Sequence, residues 1–234
     1  AVDYALLNQK DLRGLFLFNP CLKVGTKLGW LAGPLTTFKT WLVIKQDQDF
    51  ARYESFATNS GNQINRLVNR IARLTGKKGR RRHIPVFTAG TLEDATVNPW
   101  QAWKLCGENI TSPNSRHLLY TAEETTTPLT DQGITVSSSS LPSQKIIGFS
   151  HQSLTISPAD PHYGRNGDYR NCLHYGRNSA EHQKCRKGES VWLGEHTRAN
   201  KDKGLLQRLT WNPKFLKMLE EIDNFLEVIP DPEP

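Results

Sequence analysis

No apolar run in the 234 residues approaches the roughly 20 positions that a membrane-spanning helix needs, which excludes a transmembrane helix. The chain also begins at Ala1 rather than at a methionine, with no charged-then-apolar leader after it. It therefore reads as a processed product or a fragment whose targeting segment is gone. Aromatic residues are missing from the one strongly basic run. Lys77, Lys78, Arg80, Arg81 and Arg82 supply five of the net seven positive charges, yet none of the base-stacking rings that a nucleic-acid surface needs is interleaved with them. Placed after a helix pattern, where cations complement the helix dipole, the run reads as a solvated loop, and no nucleic-acid partner is expected. What remains, 37% apolar and 23% charged, is the composition of a globular chain rather than a disordered or fibrous one. The length suits one large domain or two small ones around a sizeable core.

Residues 1–21 read as a helix followed by a short buried strand, Leu12 to Phe18, closed by Asn19-Pro20. Residues 22–58 are irregular and aromatic, with clusters at Trp30, Phe38–Trp41 and Phe50–Phe56, as in a cap or lid. Residues 59–151 follow as a core portion. Ser60 and Gln63 have capping-box spacing, and Ile64, Leu67, Val68, Ile71 and Leu74 form a helical stripe that Gly76 ends. Further strands are expected at Ile84–Ala89 and His117–Thr121, with a helix from about Pro99 to Cys106 between them. Residues 121–143 read as a Ser/Thr-rich surface excursion with a short strand near Ile134, and Ile146–His151 returns to the core. Residues 152–211 are polar loop and contain HYGRN twice. In 212–230, Asn212 caps a closing helix whose first position is Pro213 and which Pro230 ends. Strands alternating with helices imply an α/β fold with a parallel sheet covered by helices on both faces, all one domain.

Functional groups of such sheets sit just beyond the C-terminal ends of the strands. Asp94 meets that rule after Ile84–Ala89, and His151 meets it after the strand-like KIIGFS. An acid before a histidine, each on a post-strand loop, is the orienting and proton-transferring part of a catalytic triad. Glu93 beside Asp94 is the alternative acid, Asp160 reads as a turn residue in SPADP, and a bland reading makes Asp94 an Asx-turn and His151 a structural histidine.

On these residues the chain resembles the C-terminal half of an α/β-hydrolase of the esterase and lysophospholipase-like type. LRGLFLFNP resembles the strand after the nucleophile helix, and HIPVFTAGTLEDATVNP the strand and acid turn. GFSHQSLTISPADPHYG resembles the loop of the catalytic His, and residues 212–229 the closing helix. The nucleophile elbow, G-x-S-x-G, is missing; its nearest match, Gly148 to Gln152, lacks the second Gly. The resemblance implies a serine hydrolase of small carboxylic esters or acyl lipids that works through an acyl-enzyme without cofactor or metal. His151 is its base, Asp94 its acid, and the nucleophilic Ser comes from an N-terminal half of the same product or from another chain. An apolar strand such as Leu15–Phe18 then expects a neighbour on each side. Ser150 as an in-chain nucleophile and a non-catalytic binding module of the same fold are the alternatives. Trp30, Phe38, Trp41 and Phe50 would line the acyl site.

Cys172 and Cys185 share a polar loop with nothing apolar to bury them, which suits a disulfide and, with it, a periplasmic or secreted setting. Cys172, His174, His182 and Cys185 as a zinc set is the alternative. Cys21 and Cys106 read as buried thiols or as a second pair, and Asn109-Ile110-Thr111 is a glycosylation sequon of a kind common by chance.

Overall fold

The computed structural model describes residues 1–23, 28–45, 49–52, 54–75, 83–97, 100–108, 110, 112–123, 133–176 and 179–229, with the side chains of residues 106 and 107 left aside. Gly76, the basic run Lys77–Arg82, Pro99, the Cys106 side chain, Asn109 and Thr111 of the sequon, Arg177 and Pro230 therefore lie outside the described residues.

Four strands make the central sheet: β1 (Leu15–Phe18), β4 (Val86–Thr91), β5 (Arg116–Thr121) and β6 (Ile134–Ser138), in the order β1-β4-β5-β6. Every ladder is parallel, with Leu15 opposite Val86, Phe87 opposite Arg116 and His117 opposite Ile134. All six residues of β4 are buried, as a central parallel strand requires. The strand near Ile134 is thus no surface excursion. It is a full member of the sheet, because its backbone completes the ladder of β5. β1 pairs with β4 alone and forms the opposite edge of the described sheet.

Alternation along β1 splits the core into two layers. Leu15 and Leu17 face α1 (Val2–Leu7) and α3 (Thr58–Thr75), where Val2, Leu6, Ile71 and Val86 close the layer. Phe16 and Phe18 face the other way, toward α7 (Phe215–Val228). There Phe225 is fully buried, with its ring centroid 5.2 Å from that of Phe16 and 5.8 Å from that of Phe87. Helices cover both faces, as the strand and helix pattern implied. The caps differ from the sequence reading. α3 already starts at Thr58, which puts Ser60 inside the helix rather than at its cap. α7 starts two residues after Pro213, with Lys214 at the cap. Asn212 turns the chain just before it: Oδ1 accepts from the Lys214 N–H, and Nδ2 donates to the buried Leu154 carbonyl.

Between β1 and α3 the cap consists of α2 (Ala32–Leu35) and the antiparallel pair β2 (Trp41–Val43) and β3 (Phe56–Ala57). It packs on α3 with its aromatic rings outward; Trp30, Phe38 and Trp41 are all exposed. Its far end, Asp49–Arg52, is fastened by charge. His162 is bonded to Asp168 through Nδ1 and to Asp49 through Nε2 at 3.2 Å, while the Tyr163 hydroxyl donates to Asp49 at 2.8 Å. Phe50 lies against the His162 ring, 4.4 Å between centroids.

The polar region after His151 is more ordered than its composition suggests. It holds α5 (Ala180–Lys187), α6 (Arg198–Lys201) and a parallel pair, β7 (Trp192–Gly194) and β8 (Leu206–Arg208). Cys172 and Cys185 form a disulfide, and both are buried, contrary to the expectation that nothing would cover them. With both sulfurs in that bond the zinc reading fails. His174 spends Nε2 on the Leu206 carbonyl, and the His182 N–H is capped by Ser179. Cys21 is an exposed free thiol rather than a buried one. The two HYGRN copies are not equivalent: a Cβ on Gly164 would sit 2.3 Å from the Asp160 carbonyl oxygen, whereas Gly176 has nothing within 4 Å. Phe225→Ala empties the centre of the α7 layer and should cost about 3–5 kcal/mol, read as a lowered urea midpoint with an unchanged slope.

Candidate active site

Three strand ends, two of the central sheet and one of the β7-β8 pair, meet at His151. β4 stops at Thr91, and the turn after it lays the fully buried Asp94 carboxylate against the imidazole, with Oδ1 accepting from Nδ1–H at 3.1 Å. The same Oδ1 accepts from the Thr96 N–H at 2.7 Å, so the Asx-turn and the acid reading both hold for this residue. Just beyond β1, Asn19 takes a left-handed backbone (φ 42°), which asparagine tolerates better than most residues. Its Nδ2 donates to the His151 carbonyl at 3.0 Å. His151 itself does not follow a strand: residues 146–150 are buried, and their β-type pairing is limited to bridges from Ile146 to Leu141 and Leu193.

The third strand end went unnoticed in the sequence. Glu195 directly follows β7, is fully buried, and brings Oε2 within 3.5 Å of the same His151 Nδ1. The register of β7 and β8 explains how a carboxylate can be kept there. Gly194 lies opposite Arg208, so the guanidinium reaches Glu195 Oε1 at 2.7 Å, and the His196 N–H donates to that oxygen at 2.8 Å. The strand-end rule that selected Asp94 also covers Glu195. Its signal was lost because three apolar residues in a polar stretch do not read as a strand.

Two carboxylates on one nitrogen decide the electrostatics. Burial by itself would lower the His151 pKa, but the hydrogen bonds and charges of Asp94 and Glu195 outweigh it and raise the value from 6.5 to about 9. Burial likewise pushes the Glu195 carboxyl up, and its bond to His151 and the Arg208 charge bring it below the ordinary value. Nδ1 is fully engaged, while Nε2 makes no hydrogen bond among the described residues, and the side chain keeps 23% of its surface open. An imidazole anchored at one nitrogen and open at the other is the geometry of a proton-transfer group.

The other candidates have structural work. Glu93 ties three strand ends together by accepting from Thr91 Oγ1, Ser139 Oγ and the Ala122 N–H, and it makes no contact with His151. Asp160 accepts from the His162 and Tyr163 N–H groups inside its own turn. Ser150 is fully buried and donates its Oγ proton to the Leu209 carbonyl at 2.7 Å, so it is no nucleophile. Of the cap aromatics, Phe50 lies against His162, and all four are exposed. Comparison with protein families, curated proteins and solved structures found no match.

Asp94, His151 and Glu195 each offer one donor atom, all within 4.8 Å of one another, a spacing that suits a divalent cation. The chemistry of the set does not. Arg208 already compensates Glu195, and a cation at Nδ1 would have to displace the proton that both carboxylates share.

Because the folded pKa of His151 is raised, its ion-pair stabilisation is complete below about pH 6.5 and is lost as the pH rises through about 9. Imidazole NMR titration should place the midpoint near 9, and Asp94→Asn and Glu195→Gln should each move it down. A midpoint unmoved by Glu195→Gln would remove that residue from the site. Glu195→Ala, which strands the Arg208 charge, should also cost about 3–5 kcal/mol in chemical denaturation.

Proposed function

We propose that this chain supplies the base and the acid of a serine hydrolase acting on carboxylic esters, with acyl lipids as the substrate class. The observation that carries the reading is His151, held at Nδ1 by buried Asp94 and open at Nε2, at the C-terminal edge of a parallel sheet. The attacking hydroxyl belongs to a serine outside the described residues, on an N-terminal half of the same product or on another chain. The apolar strand β1, which has no second neighbour among the described residues, supports such a partner.

In this mechanism Nε2 takes the proton as the serine oxygen attacks the ester carbonyl. Asp94 and Glu195 stabilise the imidazolium, which then protonates the departing alcohol. Water deacylates the acyl-enzyme by the same exchange in reverse. The resting imidazolium is unusually stable, so the base form is scarce at neutral pH and the reaction should speed up toward about pH 9. The exposed apolar rings of the cap, Trp30, Phe38 and Trp41, support an acyl chain as the bound part of the substrate. A buried disulfide supports an oxidising compartment, periplasmic or extracellular.

A fluorophosphonate probe applied to the intact protein or its complex should label one serine, faster with rising pH. His151→Ala should abolish labelling, and Asp94→Asn should slow it by about 10²–10⁴-fold. Labelling that survives His151→Ala would overturn His151 as the base, and absence of any labelling would favour a non-catalytic module.

A further inference from the structure

Beside the His151 site, on the far side of Arg208, lies a second and differently built cleft of about 310 Å³. Lys45, Arg52 and Arg208 reach it from three separate parts of the chain: the segment after β2, the cap end at 49–52, and the end of β8. Its remaining charged wall is Glu54, which accepts from the Tyr169 hydroxyl at 2.8 Å. Arg52 is shared with Asp49 at 3.4 Å, and Arg208 with Glu195 at 2.7 Å. Lys45 forms no ion pair among the described residues.

Two imidazoles complete the wall. His174 and His196 lie against each other with ring centroids 4.3 Å apart. Burial holds the pKa of both below the ordinary value, His174 at about 4. Cations lower them further: Arg208 and Lys201 act on both, and Lys45 acts on His196. Both rings are therefore neutral at pH 7, and the three cations of the wall face Glu54 within it and Asp49 and Glu195 behind it.

We infer that this cleft binds a compact oxyanion of the phosphate class, with Lys45, Arg52 and Arg208 as its cationic walls and His174 and His196 beside it. Three cationic side chains arriving from different directions match the several charged oxygens of a tetrahedral phosphate better than a planar carboxylate, which one guanidinium fork would satisfy. Arg208 joins the cleft to Glu195 and so to His151. If the hydrolase reading holds, the anion is the phosphate headgroup of the lipid substrate, and free phosphate is the other source of the same chemistry.

The test is titration of the intact protein with inorganic phosphate and, separately, with glycerol 3-phosphate, followed by imidazole NMR and calorimetry. Phosphate should raise the pKa values of His174 and His196. Lys45→Gln should weaken binding about tenfold, and Lys45→Glu should abolish it; Lys45 is exposed and its side chain makes no ion pair among the described residues, so neither change threatens the fold. Glycerol 3-phosphate binding at least tenfold tighter than phosphate assigns the site to an esterified headgroup, and equal affinity assigns it to free phosphate. No response of either imidazole at millimolar phosphate, or equal affinity in Lys45→Glu, overturns the proposal. Binding is read without turnover, so failure of probe labelling overturns the hydrolase reading alone, and absence of a phosphate response overturns this one alone.

Discussion

His151 Nδ1 carries one proton between two buried carboxylates, and much of the surrounding structure compensates that arrangement. Asp94 and Glu195 have no exposed surface, and a buried anion is tolerated only with a partner. For Glu195 the partners are Arg208, the His196 N–H and the imidazole; for Asp94 they are the Thr96 N–H and the imidazole. The imidazolium is thus as much a structural cation as a proton-transfer group. Its raised pKa follows from the same contacts that permit the burial.

Those contacts depend on two sheets being aligned with one another. The four-stranded sheet supplies Asn19 and Asp94 from the ends of β1 and β4, and the small β7-β8 pair supplies Glu195 and Arg208. The link between the sheets is the 141–150 segment: Ile146 bridges to Leu193, and the Ile147 N–H donates to the Leu193 carbonyl. Close packing enforces the alignment. A Cβ on Gly194 would come within 2.8 Å of Ile147, and one on Gly148 within 2.8 Å of Glu93. Glu93, the residue beside the acid, holds the ends of β4, β5 and β6 in register below the site. Neighbouring carboxylates in one turn therefore divide the work, one bracing the strands and the other facing the histidine.

Much of this was legible in the sequence for physical reasons. Apolar runs at Leu15–Phe18 and Ile84–Ala89 mark strands buried on both faces, because no polar position interrupts them. The stripe from Ile64 to Leu74 marks an amphipathic helix by its period. Asp94 was visible because strand ends gather functional groups in parallel sheets; the same rule pointed to His151, which in the structure follows a buried bridge segment and not a strand. What was not legible had no local signature. A short strand near Ile134 was expected, but its place as a full parallel partner of β5 comes from the ladder and not from its Ser/Thr-rich side chains. Ser60 satisfied a capping pattern that the helix did not use, since the chain entered α3 directly from β3 at Thr58.

The sequence by itself determined the parallel α/β arrangement, the cysteine pair and the choice of Asp94 and His151, which the fold brings together. Each of these follows from short-range periodicity, from residue chemistry or from strand order. Tertiary structure alone decided that Ser150 points its hydroxyl into the core, that Glu195 becomes a second carboxylate on His151, and that Lys45, Arg52 and Arg208 converge. These outcomes depend on register and on contacts between distant parts of the chain, such as Ser150 with Leu209 and His151 with Glu195. No local pattern encodes a distance between two loops; only the packing of the sheets beneath them does.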